Sequence, residues 1–413
     1  MKNENVSKLN LFNLLFFTMS FLFAFGQDKI VANVDFSILK NYEIVAFGEA
    51  SHGSKSDYIA REQLIETLLQ HTDSVDILVE MPYYGGIAIK EYAEGLIDTT
   101  ELLDELMYYG LSTDGFMHLI NRFKNDKRVT FYGIDMQTHL SPLKLLKRSL
   151  IESLPELETK ISALTDSLNH DFMSEYDETT YPKHAEMINE SMEGLGQIIH
   201  SNTSLLNGKF LEIQFPFTII RQYIGLLDGY KRQTKKHYFD YVFYRDSCMA
   251  ENVSTLKAYS KKQIVLIAAN AHVDKDISPD GKWMMMGERL NRKFHEKYFV
   301  IGSQYVQGTL LEVQFEKGVR SIVVNPILPL KRTLPSDLNQ LFHPKNDTLI
   351  LTANASGKLK RILDEKAHFQ SFGTSRYNEK RESYLIAKIS KTYDAIYLIP
   401  KVEASTLIRP EKQ

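Results

Sequence analysis

Five side chains have the types and spacing to do chemistry together: Glu49, His52, Arg61, Glu80 and His272. The stretch FGEASHGSKSDYIAR, Phe47 to Arg61, sets a carboxylate, a histidine three residues on and an arginine nine further. A histidine beside carboxylates can serve as a general base in an oriented tautomer. No protein nucleophile accompanies the set. There is no G-x-S-x-G elbow, and Ser51 is the chain neighbour of His52, a placement that does not give a serine and its base the needed geometry. Cys248 lies among apolar residues of a helical pattern and reads as a buried thiol. HEKYF, residues 295–299, lacks the second histidine of a zinc-protease helix. What remains is water activated directly by a base, or a metal held by two histidines and two carboxylates.

These residues need elements that bring them to one place. Apolar runs without strict alternation recur at 43–49, 76–81, 129–136, 263–270, 297–305, 347–353 and 394–400. Such runs suit strands buried on both faces, as in a parallel sheet, and helical patterns lie between most of them. The expected class is α/β: a largely parallel central sheet flanked by helices. Residues 141–256 contain almost no strand-like run and predict a helical insertion packed against the sheet, within a single domain spanning 27–413. The first run leads into Glu49 and His52, the second ends at Glu80, the third at Asp135, and the fourth leads into Asn270 and His272. Ligands of open α/β sheets bind outside the carboxyl ends of strands, so neighbouring strands would collect these side chains at one edge.

The helix after the first run carries an apolar stripe of Leu64, Ile65, Leu68 and Leu69. Continued backwards it reaches Arg61 and Asp57, with Ser54 or Ser56 as the cap. An inward arginine requires a carboxylate, because an unpaired buried charge is very costly. Glu49, Glu80 and Asp57 are the available partners. Gly48 and Gly53 bracket the loop and suggest a tight, left-handed turn.

Composition bounds the class of partner. Of 413 residues, 43% are hydrophobic and 24% charged, and the net charge is −3, so nothing calls for nucleic acid. The single cysteine allows neither an internal disulfide nor a cysteine metal cluster. Lys2 and Lys8 precede an apolar stretch with Ala24 and Gly26 before Gln27, the pattern of a secretory signal peptide over residues 1–26. The expectation is a periplasmic or secreted protein with no stable membrane anchor after cleavage.

The motifs GEASHG with Arg61, LVEMPYYGGIAIKEYAEG, YGIDMQ, RDSCMAEN and AANAHV, in that order, resemble the erythromycin esterase family, as do residues 286–309 and YDAIYLIP near the end. The resemblance covers nearly all of the mature chain. It implies an α/β fold with helical additions, and hydrolysis of a cyclic ester, the macrolide lactone, by activated water, an activity tied to antibiotic resistance. By motif, His52 looks like the general base, Glu49 and Glu80 like the carboxylates that orient it and the water, Arg61 like their charge partner, and His272 like the second histidine. Two positions depart from the family's pattern. Ala269 stands where histidine is frequent, and Ser56 where glutamate is frequent. The partner implied is a small-molecule ester or lactone, with no cofactor. Two other readings stay open: a divalent-metal hydrolase or peptidase using Glu49, His52, Glu80 and His272, and a non-catalytic protein that binds haem or another small ligand.

Overall fold

The computed structural model describes residues 35–106, 110–138, 140–173, 181–231, 237–276, 284–316, 319–327, 333–373 and 384–408. The leader expected at 1–26 lies outside them. Among the described residues ten strands form: β1 Ile44–Glu49, β2 Val75–Pro82, β3 Val129–Asp135, β4 Gln263–Ala269, β5 Tyr298–Glu316, β6 Val319–Pro326, β7 Thr348–Leu351, β8 Lys366–Gln370, β9 Tyr384–Lys388 and β10 Ala395–Val402. The central sheet runs β3-β2-β4-β1-β5-β10-β7, parallel throughout except for β7. All seven predicted runs are strands, and the mixed α/β class with a mostly parallel sheet is borne out.

The continuous apolar runs have the cause expected of them. Every residue of β1 and β4 is buried. Val45 and Phe47 enter the core on one face, while Ile44 and Ala46 enter the core on the other. The first core is completed by α1 Lys55–Leu69, α2 Tyr83–Ala93, α3 Thr99–Leu106 and α4 Asp114–Phe123. Burying such side chains contributes about 1.5–3 kcal/mol each.

The helical segment comprises α5 Leu140–Ser153, α6 Glu158–Met173, α7 Tyr181–Ser201, α8 Phe215–Lys231 and α9 His237–Ser260. It packs on the sheet chiefly through α9, whose Cys248, Met249, Val253 and Leu256 join the second core. Leu146, Leu150, Ile161, Ile188, Leu195 and Ile220 of the other helices build a core of their own. The segment is thus only partly a layer on the sheet.

Two features depart from the sequence reading. The run at 297–305 is the start of a strand of 19 residues. After Gly308 that strand leaves β10 and pairs antiparallel with β6 alone. A second antiparallel pair, β8 with β9, stands apart from the main sheet.

Candidate active site

β3, β2, β4 and β1 are consecutive in the sheet and parallel, so their carboxyl ends share an edge. At the end of β1 the chain turns through 50–54 into α1. Ser54 caps that helix, its Oγ accepting the Asp57 N–H at 3.2 Å. His52 Nδ1 lies 2.5 Å from Glu49 Oε1. The other carboxylate oxygen of Glu49 accepts from Arg61 Nη2 at 2.7 Å. Arg61 is fully buried, as its place on the stripe predicts, and its guanidinium carbon lies 5.0 Å from the Tyr58 ring centre and 5.5 Å from that of Phe47. Of the three carboxylates expected as partners, Glu49 takes the ion pair, while Asp57 accepts the Tyr305 hydroxyl.

Burial pushes the Glu49 carboxyl up, but the Arg61 charge and the His52 hydrogen bond outweigh it, and its pKa sits below the usual range. An anionic Glu49 makes Nδ1 of a neutral His52 the N–H donor, which leaves Nε2 as the nitrogen able to accept a proton. The glycines of this loop serve a different purpose from the one expected. Neither Gly48 nor Gly53 has positive φ. A Cβ on Gly53 would fall 1.8 Å from the Leu311 carbonyl oxygen, and one on Gly48 would fall 2.5 Å from Asn270 Oδ1. They permit close backbone approach, not a left-handed turn.

A second cluster stands beside the first. Arg245, on α9, donates from Nη2 to Asp135 Oδ2 at 2.6 Å and to Glu80 Oε1 at 2.8 Å. His272, on the short helix α10 Asn270–Val273, follows β4. Its Nδ1 is 2.8 Å from Asp246 Oδ1, and its Nε2 is 3.3 Å from Glu80 Oε1. Burial pulls the imidazole pKa down, yet the Asp246 and Glu80 charges push it up to about 10. For Glu80, burial acts upward and is overcome by the His272 and Arg245 charges, so its pKa falls well below the carboxylate range. The two carboxylates favour the imidazolium, against the Arg245 Nη1 that also lies 3.3 Å from His272 Nε2.

The two clusters meet at the end of β4. Ala269 is in register with Glu49 on one side and donates its N–H to Glu80 Oε2 at 2.9 Å on the other. All five residues expected from the sequence gather at this edge. Side chains of His52, Glu80, Arg245 and His272 stay 9–14% exposed, whereas Arg61 is sealed behind Glu49. The departure at Ala269 thus falls between the two carboxylates. Ser56 faces elsewhere: its Oγ accepts the Glu403 N–H at 3.0 Å.

Arg245 and Asp246 carried no assigned role in the sequence reading, although they open the motif RDSCMAEN. Arg245 lies on one helical stripe with Cys248, Met249 and Asn252, the same signal that placed Arg61. Tyr83, the first residue of α2, is core. It is 1% exposed, packs edge-on against Phe215 and donates to the Leu211 carbonyl.

The side chains fit a metal poorly. Among the described residues no group of three or more His, Cys, Asp or Glu is arranged to hold one. The Arg245 guanidinium binds both Glu80 and Asp135, and both nitrogens of His272 lie against charged partners.

A family model described as erythromycin esterase matches residues 115–402. That span holds Asp135, Arg245, Asp246 and His272; Glu49, His52, Arg61 and Glu80 precede it. No curated protein matches the chain. Among solved structures, a succinoglycan biosynthesis protein is similar with TM-score 0.74 at 16% identity, covering 92% of this chain and 95% of that one. A Bacillus cereus protein is similar with TM-score 0.73 at 17% identity, over 92% and 95%. A mutant of the erythromycin esterase EreC in its open conformation has TM-score 0.64 at 20% identity, over 91% of this chain and 97% of that one. These likenesses establish a shared fold.

Proposed function

The chain belongs to the erythromycin esterase family, and from that premise we propose that it is an exported hydrolase cleaving a lactone or other ester with water activated by His52. The observation that carries the reading is the buried chain Arg61–Glu49–His52. It orients one imidazole tautomer at the edge of the sheet.

In this reading Nε2 of His52 takes a proton from water as the oxygen attacks the ester carbonyl, a step worth about 10²–10⁴ in rate. The tetrahedral oxyanion forms beside two cations, Arg245 and His272, and fixed positive groups at that point are the usual source of the largest stabilisation. The alkoxide then leaves and takes the proton back from His52. An acid and an alcohol result, which for a lactone are one ring-opened molecule. Arg61 is fully enclosed and acts through Glu49. Glu80 is held by Arg245, His272 and the Ala269 N–H, so it fixes the cations and no proton passes through it.

The test is incubation of the mature protein with erythromycin and a panel of simple lactones and esters, followed by mass spectrometry. The panel is broad because Ala269 alters the middle of the site. Gain of one water by at least one compound, undiminished by a chelator, is the expected result. No gain on any of them overturns the reading, and loss of the activity with chelator moves it to metal chemistry. Export rests on the leader pattern at 1–26 and places the protein in the periplasm or outside the cell. Amino-terminal sequencing of the exported form should begin at Gln27.

A further inference from the structure

The loop that carries His52 is fastened from beneath by groups outside the reacting set. The Ala50 N–H donates to Ser303 Oγ at 3.0 Å, and the Ser51 N–H donates to Tyr305 Oη at 3.3 Å. Tyr305 spends its one hydroxyl proton on Asp57 Oδ2, so a lone pair receives Ser51. Ser303, Tyr305 and Asp57 are all completely buried. One side chain grips the Tyr305 backbone on both sides: Gln370 Oε1 accepts its N–H at 2.6 Å, and Gln370 Nε2 donates to its carbonyl at 2.9 Å. Asn270 Nδ2 donates to the carbonyls of Ser303 at 3.0 Å and Gln370 at 2.9 Å. The short helix that presents His272 therefore hangs on the same frame.

Phenylalanine and alanine would fill this space without polar atoms. A buried hydroxyl–carboxylate pair is costly to desolvate and has to be matched closely, and a fully matched network fixes a single arrangement. Its position is informative, since the two backbone N–H groups it captures lie between Glu49 and His52.

We propose that Tyr305 is a positioning residue for His52, its hydroxyl, oriented by Asp57, setting the Glu49–Gly53 loop and with it the His52–Glu49 hydrogen bond. Through Gln370 and Asn270 the same frame fixes the His272 helix relative to that loop. Tyr305 touches no reacting atom and acts through the Ser51 backbone. The inference rests on the reading of His52 as the base.

The test compares Tyr305→Phe and Ser303→Ala with Thr165→Ala, which deletes a buried hydroxyl in α6 remote from the site. Two readouts are taken on the full chain: kcat and KM on the best ester of the panel, and the ring ¹⁵N shifts of His52. The resonance is picked out of twelve histidines by its loss in His52→Gln. Misplacing a reacting group by an ångström can cost about 10²-fold, so kcat should fall by about 10- to 100-fold in Tyr305→Phe with KM little changed. The His52 ring shifts should move in both loop variants and stay put in Thr165→Ala. If Tyr305→Phe does not fold, Ser303→Ala decides by the same criteria. Wild-type kcat and ring shifts in the folded variants overturn the proposal, and so does an equal change in Thr165→Ala. A wild type that hydrolyses nothing removes His52 as the base, and the ring shifts then judge the positioning by themselves.

Discussion

The site contains two histidines, each tied to a carboxylate by Nδ1, and their surroundings make them different reagents. Glu49, the partner of His52, shares its charge with Arg61. His272 lies between two carboxylates, Asp246 and Glu80, and holds its proton to about pH 10. A histidine that keeps its proton in that way is a fixed cation and cannot collect one from water at neutral pH. In the proposed mechanism, base chemistry falls to the β1 loop and charge stabilisation to the β2–β3–β4 edge, where Arg245 adds a second cation.

The sharpest way to break this contrast is to remove each arginine. Arg245→Ala leaves Glu80 and Asp135 buried without their shared cation and should cost about 3–5 kcal/mol in urea unfolding. Arg61→Ala leaves Glu49 with only His52 and should cost a similar amount, but it should also release the His52 tautomer, lowering kcat more than its stability loss explains. Arg245→Ala should lower kcat as well, by removing an oxyanion cation, and a wild-type kcat in either variant would contradict the division of labour.

A smaller effect is expected from Asp246→Asn. A hydrogen bond to a charged group is worth about 1.5–3 kcal/mol, and about 1.4 kcal/mol corresponds to one pH unit. The His272 titration, followed by NMR, should therefore drop from about 10 by about one to two pH units. The raised value also links to stability. Because the folded pKa lies above the ordinary 6.5, the contribution of His272 is fully present below about pH 6.5 and is lost as pH rises through about 10. The alkaline decline in wild-type stability should be shallower in Asp246→Asn and absent from that residue's share in His272→Gln. Ser56→Ala should have the least effect, about 0.5–1.5 kcal/mol for one hydrogen bond to the Glu403 backbone, with kcat unchanged.

Much of the site was legible because its signals are local. Strands buried on both faces must read as unbroken apolar runs, so the ends at Glu49, Glu80, Asp135 and Ala269 could be marked in the chain. Arg61 showed itself by falling on an apolar stripe. Arg245 falls on a comparable stripe, but its meaning depends on Glu80 and Asp135, 165 and 110 residues away, and no local pattern carries such a contact. Tyr305 was hidden for the same reason: within β5 it reads as one more apolar strand residue, and only the fold sets its hydroxyl beneath Ser51. The outer half of β5 was missed because Gln307, Gly308 and Thr309 interrupt the apolar run where the strand leaves the sheet and needs only one buried face.

The central claim is that His52, and not His272, is the base. Purified wild type, His52→Ala and His272→Gln, each confirmed as folded by circular dichroism, should be compared on the best ester of the panel by the appearance of the product one water heavier. The account predicts that His52→Ala loses nearly all turnover, about 10²–10⁴-fold, while His272→Gln retains a measurable rate through Arg245. Turnover by His52→Ala at the wild-type rate would contradict it.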